Sequence, residues 1–82
     1  MPVEAEQEAP LSRHVAAVAE ARLGASSHRA LRTIFCKFDQ GVLVLRGRLN
    51  TYFHKQLAQE IVADIEGVEE VVNQIEVVDR AT

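Results

Sequence analysis

Residues 41–78 read GVLVLRGRLNTYFHKQLAQEIVADIEGVEEVVNQIEVV, and this stretch decides the fold. Residues 42–49 alternate aliphatic with aliphatic or basic side chains and predict a strand. Its two faces separate by parity into Leu43, Leu45, Gly47 and Leu49 against Val42, Val44, Arg46 and Arg48. Asn50 or Thr51 is a ready N-cap. The helix that follows carries Phe53, Leu57, Ala58, Ile61, Val62 and Ile65 as its apolar stripe and runs to about Glu66, where Gly67 stops it. Residues 71–78 then predict a second strand, with Val71, Asn73, Ile75 and Val77 on one side and Val72, Gln74, Glu76 and Val78 on the other.

Upstream, Leu11, Val15, Val18, Ala19 and Leu23 recur at helical spacing over residues 11–23, with Ser12 as N-cap and Gly24 as stop. Residues 24–29 break the pattern. Residues 31–38 read as a strand ending in a hairpin turn at Asp39, Gln40 and Gly41. Its core parity takes Ile34, Cys36 and Phe38, leaving Phe35 and Lys37 opposite. Residues 1–10, with Glu4, Glu6 and Glu8, are expected to form a disordered acidic tail. The domain proper is assigned to residues 11–80. The order is α-β-β-α-β. A strand–helix–strand connection leaves its strands parallel, and a hairpin leaves them antiparallel. The expected fold is a single small α+β domain: a three-stranded mixed sheet with both helices on one face.

The totals agree with one small domain. The chain has 82 residues, 48% of them hydrophobic, enough for a modest core without disulfides. The single cysteine, Cys36, excludes an intramolecular disulfide framework and a C-x-x-C site. No apolar run approaches the length of a membrane span. The N-terminus has no basic start and no apolar segment, which predicts a cytoplasmic protein, or one of the envelope or periplasm if an export segment lies outside this chain. The formal net charge of −3 is unevenly laid out: −3 over residues 1–12, +6 over 13–55 and −6 over 56–82. That layout permits a basic face on an acidic protein.

The glycine-led strand Gly41-Val-Leu-Val-Leu-Arg-Gly47-Arg-Leu49, then a helix, then Gly67-Val68-Glu-Glu-Val71-Val-Asn73-Gln-Ile75-Glu-Val77, resembles the BON domain (bacterial OsmY and nodulation) family. The likeness extends from about Leu11 to Val78. The resemblance implies a small non-enzymatic module of bacteria, associated with envelope proteins and proposed to bind phospholipid or mediate protein contacts.

Gly41, Gly47, Gly67, Val68 and Asn73 read as structural. Gly47 is expected to lie under a closely passing helix, and Asn73, on the core parity, to latch onto backbone groups of the turn at residues 67–70. His14, His28, His54 and Cys36 show no metal-ligand spacing and read as scattered surface imidazoles and a buried thiol. No metal, cofactor or catalytic constellation is assigned. The informative feature is the uncovered sheet face, where Phe35, Val42, Val44, Val72 and Val78 form an apolar group edged by Lys37, Arg46 and Arg48. Self-association or a protein partner fits that patch best, and anionic phospholipid is the second reading. Single-stranded RNA is the weakest reading, because Phe35 is the only aromatic of that parity and stacking platforms use two or three.

Overall fold

The computed structural model describes residues 10–78; of the expected tail at residues 1–10 only Pro10 is described, as the first residue of a helix, and residues 1–9 and the last two residues of the assigned domain lie outside the described residues. Helix α1 spans Pro10–Ala25, a 3₁₀ turn spans Arg29–Thr33, and strand β1 spans Phe35–Asp39. Strand β2 (Val42–Leu49), helix α2 (Tyr52–Val62) and strand β3 (Glu70–Val77) complete the α-β-β-α-β order. The sheet runs β1-β2-β3, with β1 antiparallel and β3 parallel to the central β2.

The hairpin between β1 and β2 turns on Gln40 and Gly41, whose φ values of 50° and 85° give the double positive conformation that matches strand twist. The carbonyl of Gly41 then accepts from the N–H groups of both Glu69 (2.8 Å) and Glu70 (3.1 Å), which pins the entry to β3 beside the start of β2. Val15, Ala19 and Leu23 of α1 and Ala58 and Val62 of α2 bury against Cys36, Phe38, Leu43, Leu45 and Ile75. Both helices therefore cover one face, and the expected strand parities hold throughout β1 and β2.

Several local expectations change. Residues 31–33 belong to the 3₁₀ turn rather than to a strand. Arg29, Ala30, Leu31 and Arg32 are helix formers, and the Thr33 hydroxyl donates back to the Ala30 carbonyl at 3.0 Å. The turn drops Leu31 fully into the core. It also explains Gly47. With φ of 152°, a β-carbon there would meet Ile34 Cδ1 at 3.0 Å, so the end of this turn, and not either α-helix, crosses the glycine. Helix α1 begins earlier than expected, so Ser12 lies inside it, and Leu11 is exposed. Thr51, not Asn50, caps α2, accepting from the His54 N–H at 3.1 Å. The α-helix ends at Val62. Three-residue bonds such as Ile65 N–H to the Val62 carbonyl then carry the chain to Gly67, and they keep Ile65 in the core.

Phe53 departs from its expected place in the apolar stripe and is 61% exposed. The buried line of the helix is Ala58 and Val62, continued by Ile65 in the turn beyond it; Phe53 stands on the flank at the N-terminal turn and packs on His28 and His54 instead.

Candidate functional site

The pleat sends one set of side chains to the face that neither helix covers. The strand register arranges them in rows: Asp39, Val42 and Glu70; Lys37, Val44 and Val72; Phe35, Arg46 and Gln74; then Arg48 beside Glu76. The structure thus brings together Phe35, Lys37, Val42, Val44, Arg46 and Val72 as neighbours. Val42, Val44 and Val72 are half-buried, whereas Phe35 stands 58% exposed. Lys37 and Arg46 flank the phenyl ring from the adjacent strand positions. Val78, half-buried, follows the end of β3, and its N–H donates to the Leu49 carbonyl at 2.8 Å.

Arg48 belongs to the same face, but its guanidinium pairs with Glu76 at 3.4 Å. Both partners are largely exposed, so the pair adds little stability. It does spend part of Arg48's charge within the sheet. The acidic members of the face, Asp39 at one end and Glu76 at the other, make it mixed in sign. Glu70 adds a third carboxylate, a consequence of β3 starting one residue earlier than the alternation implied.

Beside Phe35 the face continues into a groove under α1, bounded by Ala16, Ala17 and Glu20 on the helix and by Lys37 and Arg46 on the sheet. Glu20 is the residue that sequence reasoning missed. Its carboxylate accepts the Cys36 backbone N–H at 2.9 Å across the edge of β1. The Cys36 side chain points the other way, into the core, and is 3% exposed. Burial, and secondarily the Glu20 carboxylate, push its thiol up to about 12. At neutral pH it is a protonated, inert core group.

The motif residues sit on the covered side or in turns. Asn73 is the latch expected from its parity, with different partners. Its Nδ2 donates to the Lys55 carbonyl (2.9 Å) and to Gln59 Oε1 (3.2 Å) on α2, and its Oδ1 accepts the Ile75 N–H (3.2 Å). Gly67, at φ of 98°, ends the turn after α2, and Val68 packs half-buried against the core. His14 is exposed on α1, whereas His28 and His54 meet through their rings although 26 residues separate them. Among the described residues, no three or more histidine, cysteine or acidic side chains converge as metal ligands, and no helix is long and apolar enough to cross a membrane.

The family model described as BON domain matches residues 13–79, most of the chain. No curated protein matches it.

Proposed function

The chain belongs to the BON domain family, and we propose that it is a non-catalytic binding module whose uncovered sheet face takes a protein partner, in the first instance a second copy of the chain. The observation that carries this reading is the composition of that face. Three half-buried valines on adjacent strands and an exposed phenylalanine lie among charges of both signs. An apolar centre with a polar rim is the anatomy of a protein interface.

A phospholipid surface asks for one sign of charge. Each basic residue near anionic headgroups contributes about 1 kcal/mol, and Asp39, Glu70 and Glu76 repel the same surface. Lys37 and Arg46 beside Phe35 remain the elements that favour the phospholipid reading. Strand addition at the sheet edges is disfavoured, because Glu20 and Asn73 already occupy the backbone donors of Cys36 and Ile75.

Amide chemical shifts across a dilution series test the proposal. Concentration-dependent movement confined to Phe35, Val42, Val44 and Val72, abolished in Val44→Glu, is the expected result. Spectra that ignore concentration, together with selective shifts of Lys37 and Arg46 on anionic but not zwitterionic vesicles, would replace the protein reading with the lipid one. A face silent in both series would overturn both.

A further inference from the structure

His28, ahead of the 3₁₀ turn, and His54, in the first turn of α2, approach each other away from the sheet face. The geometry points to a two-imidazole site for a borderline first-row divalent cation, zinc(II) being the best fit, held by His28 Nδ1 and His54 Nε2. These nitrogens are 3.3 Å apart and the ring centroids are 5.1 Å apart, with the rings inclined at 67°.

Those two distances discriminate between arrangements. Rings aimed head-on along a linear 3.3 Å hydrogen bond would hold their centroids about 5.6 Å apart, given about 1.15 Å from imidazole centroid to nitrogen. Two imidazoles sharing a tetrahedral ion at about 2.05 Å would hold the nitrogens about 3.3 Å and the centroids about 5.2 Å apart. The observed spacing excludes the head-on arrangement and accommodates the shared-ion one, as it does a bent hydrogen bond.

The surroundings support that reading. His54 Nδ1 lies 2.9 Å from Thr51 Oγ1, and the same oxygen is fixed by accepting the His54 backbone N–H at 3.1 Å. A hydrogen bond on the outer nitrogen is how metal-binding imidazoles are oriented. Phe53 packs edge-on to both rings, at 5.9 and 5.4 Å, and walls off one side. His28 is steadied by its backbone N–H, which donates to Ser26 Oγ at 3.0 Å.

Two bare nitrogen lone pairs do not sit 3.3 Å apart unaided; a proton or a cation must lie between them. In the free protein one of the facing nitrogens carries the proton. With a metal bound both are bare, so one ring must change tautomer. Among the described residues no carboxylate pairs with either ring, and no third side chain converges. Water completes the coordination. Two neutral nitrogen donors select zinc or copper over magnesium and calcium, which take oxygen ligands.

The test titrates zinc chloride into the full chain labelled with ¹⁵N-histidine, near neutral pH. The ring nitrogens of His28 and His54 should shift together, saturably, with one ring inverting its tautomer. His14 should stay still, and magnesium chloride should move nothing. His28→Ala and His54→Ala each remove a ring outside the buried core, so both should keep the native amide spectrum and lose the coupled shift. The inference fails if His28 still responds to zinc in His54→Ala, if His14 moves as much as the pair, or if no ring changes tautomer.

Discussion

The two outer strands of the sheet close their free edges by different means. On β3 the outward N–H of Ile75 donates to Asn73 Oδ1, two residues back on the same strand, and the other end of that amide reaches two groups on α2. On β1 the outward N–H of Cys36 donates to Glu20, a carboxylate 16 residues upstream on α1. Both devices blunt an edge that would otherwise template pairing with another chain. The β3 device is local, neutral and shared among three bonds; the β1 device is remote, charged and single. Each plug ties a helix to the sheet, so the two-bond tie of α2 to β3 should matter more to stability than the single bond of α1 to β1, whose weight should fall mainly on specificity of association.

The largest expected effect therefore falls on β3. Asn73→Ala removes the amide's two donations to α2 and leaves the Ile75 N–H without its acceptor. The loss should be about 2–3 kcal/mol by urea denaturation, given about 1 kcal/mol per bond and the added cost of an unsatisfied donor. Asn73→Asp sharpens the assignment. It keeps an acceptor for Ile75 and forfeits both donors, so it should be as destabilising as alanine if the tie to α2 dominates. Full stability in Asn73→Asp would move the weight to the edge itself.

On β1 the next effect is a pH dependence centred on Cys36. Its thiol rises from 9.0 to about 12 in the folded protein. The folded state thus retains the proton over a range where the unfolded state has lost it. This contribution to stability is complete below the unfolded value and is lost as pH climbs from 9 towards 12. At a pH near 10.5, halfway through that window, the loss should be about 2 kcal/mol, at 1.4 kcal/mol per unit. Subtracting the profile of Cys36→Ala isolates it from lysine and tyrosine titration. Parallel profiles for the two proteins would show that the thiol does not feel its burial.

The contrast between edges follows what the sequence makes legible. Parity placed Asn73 on the covered face and made a buried amide with partners necessary, because a half-buried amide among Val71 and Ile75 has to be satisfied. Its partners were misassigned to the nearby turn, since nothing in the chain says which backbone carbonyl of a packed helix lies opposite. The α-β-β-α-β order, the hairpin and the three-stranded mixed sheet were all readable from periodicity and turn residues. The face at Phe35, Val42, Val44 and Arg46 followed from the same counting. Glu20 was not readable, because an exposed glutamate on a helix carries no mark of the distant N–H it will meet. The pairing of His28 with His54 was hidden for the same reason: ligand spacing is a local signal, and these two rings meet only through the placement of the 3₁₀ turn. That turn was itself misread as strand, because Leu31, Thr33 and Ile34 suit either conformation, and only Gly47 opposite makes room for the crossing.

The smallest effect tests Glu20 and can break the comparison. Glu20→Ala removes one bond, from a part-buried N–H at the sheet's margin, against three for Asn73→Ala, so the cost should be about 1 kcal/mol. Glu20→Gln keeps a side-chain acceptor at the same reach and gives up only the charge assistance, so it should fall within a few tenths of a kcal/mol of wild type. Both variants remove the carboxylate, the lesser of the two causes raising the Cys36 thiol. Alkylation of Cys36 should therefore begin at lower pH in both, while burial keeps it well above an exposed thiol. The two substitutions should part on association: alanine frees the Cys36 N–H for pairing with another chain, and glutamine does not. Concentration-dependent assembly in Glu20→Ala alone would identify the carboxylate as an edge guard. A stability loss equal to that of Asn73→Ala would mean instead that the single Glu20 bond fastens α1 to β1 as firmly as Asn73 fastens α2 to β3, and that the two edges are closed by one principle after all.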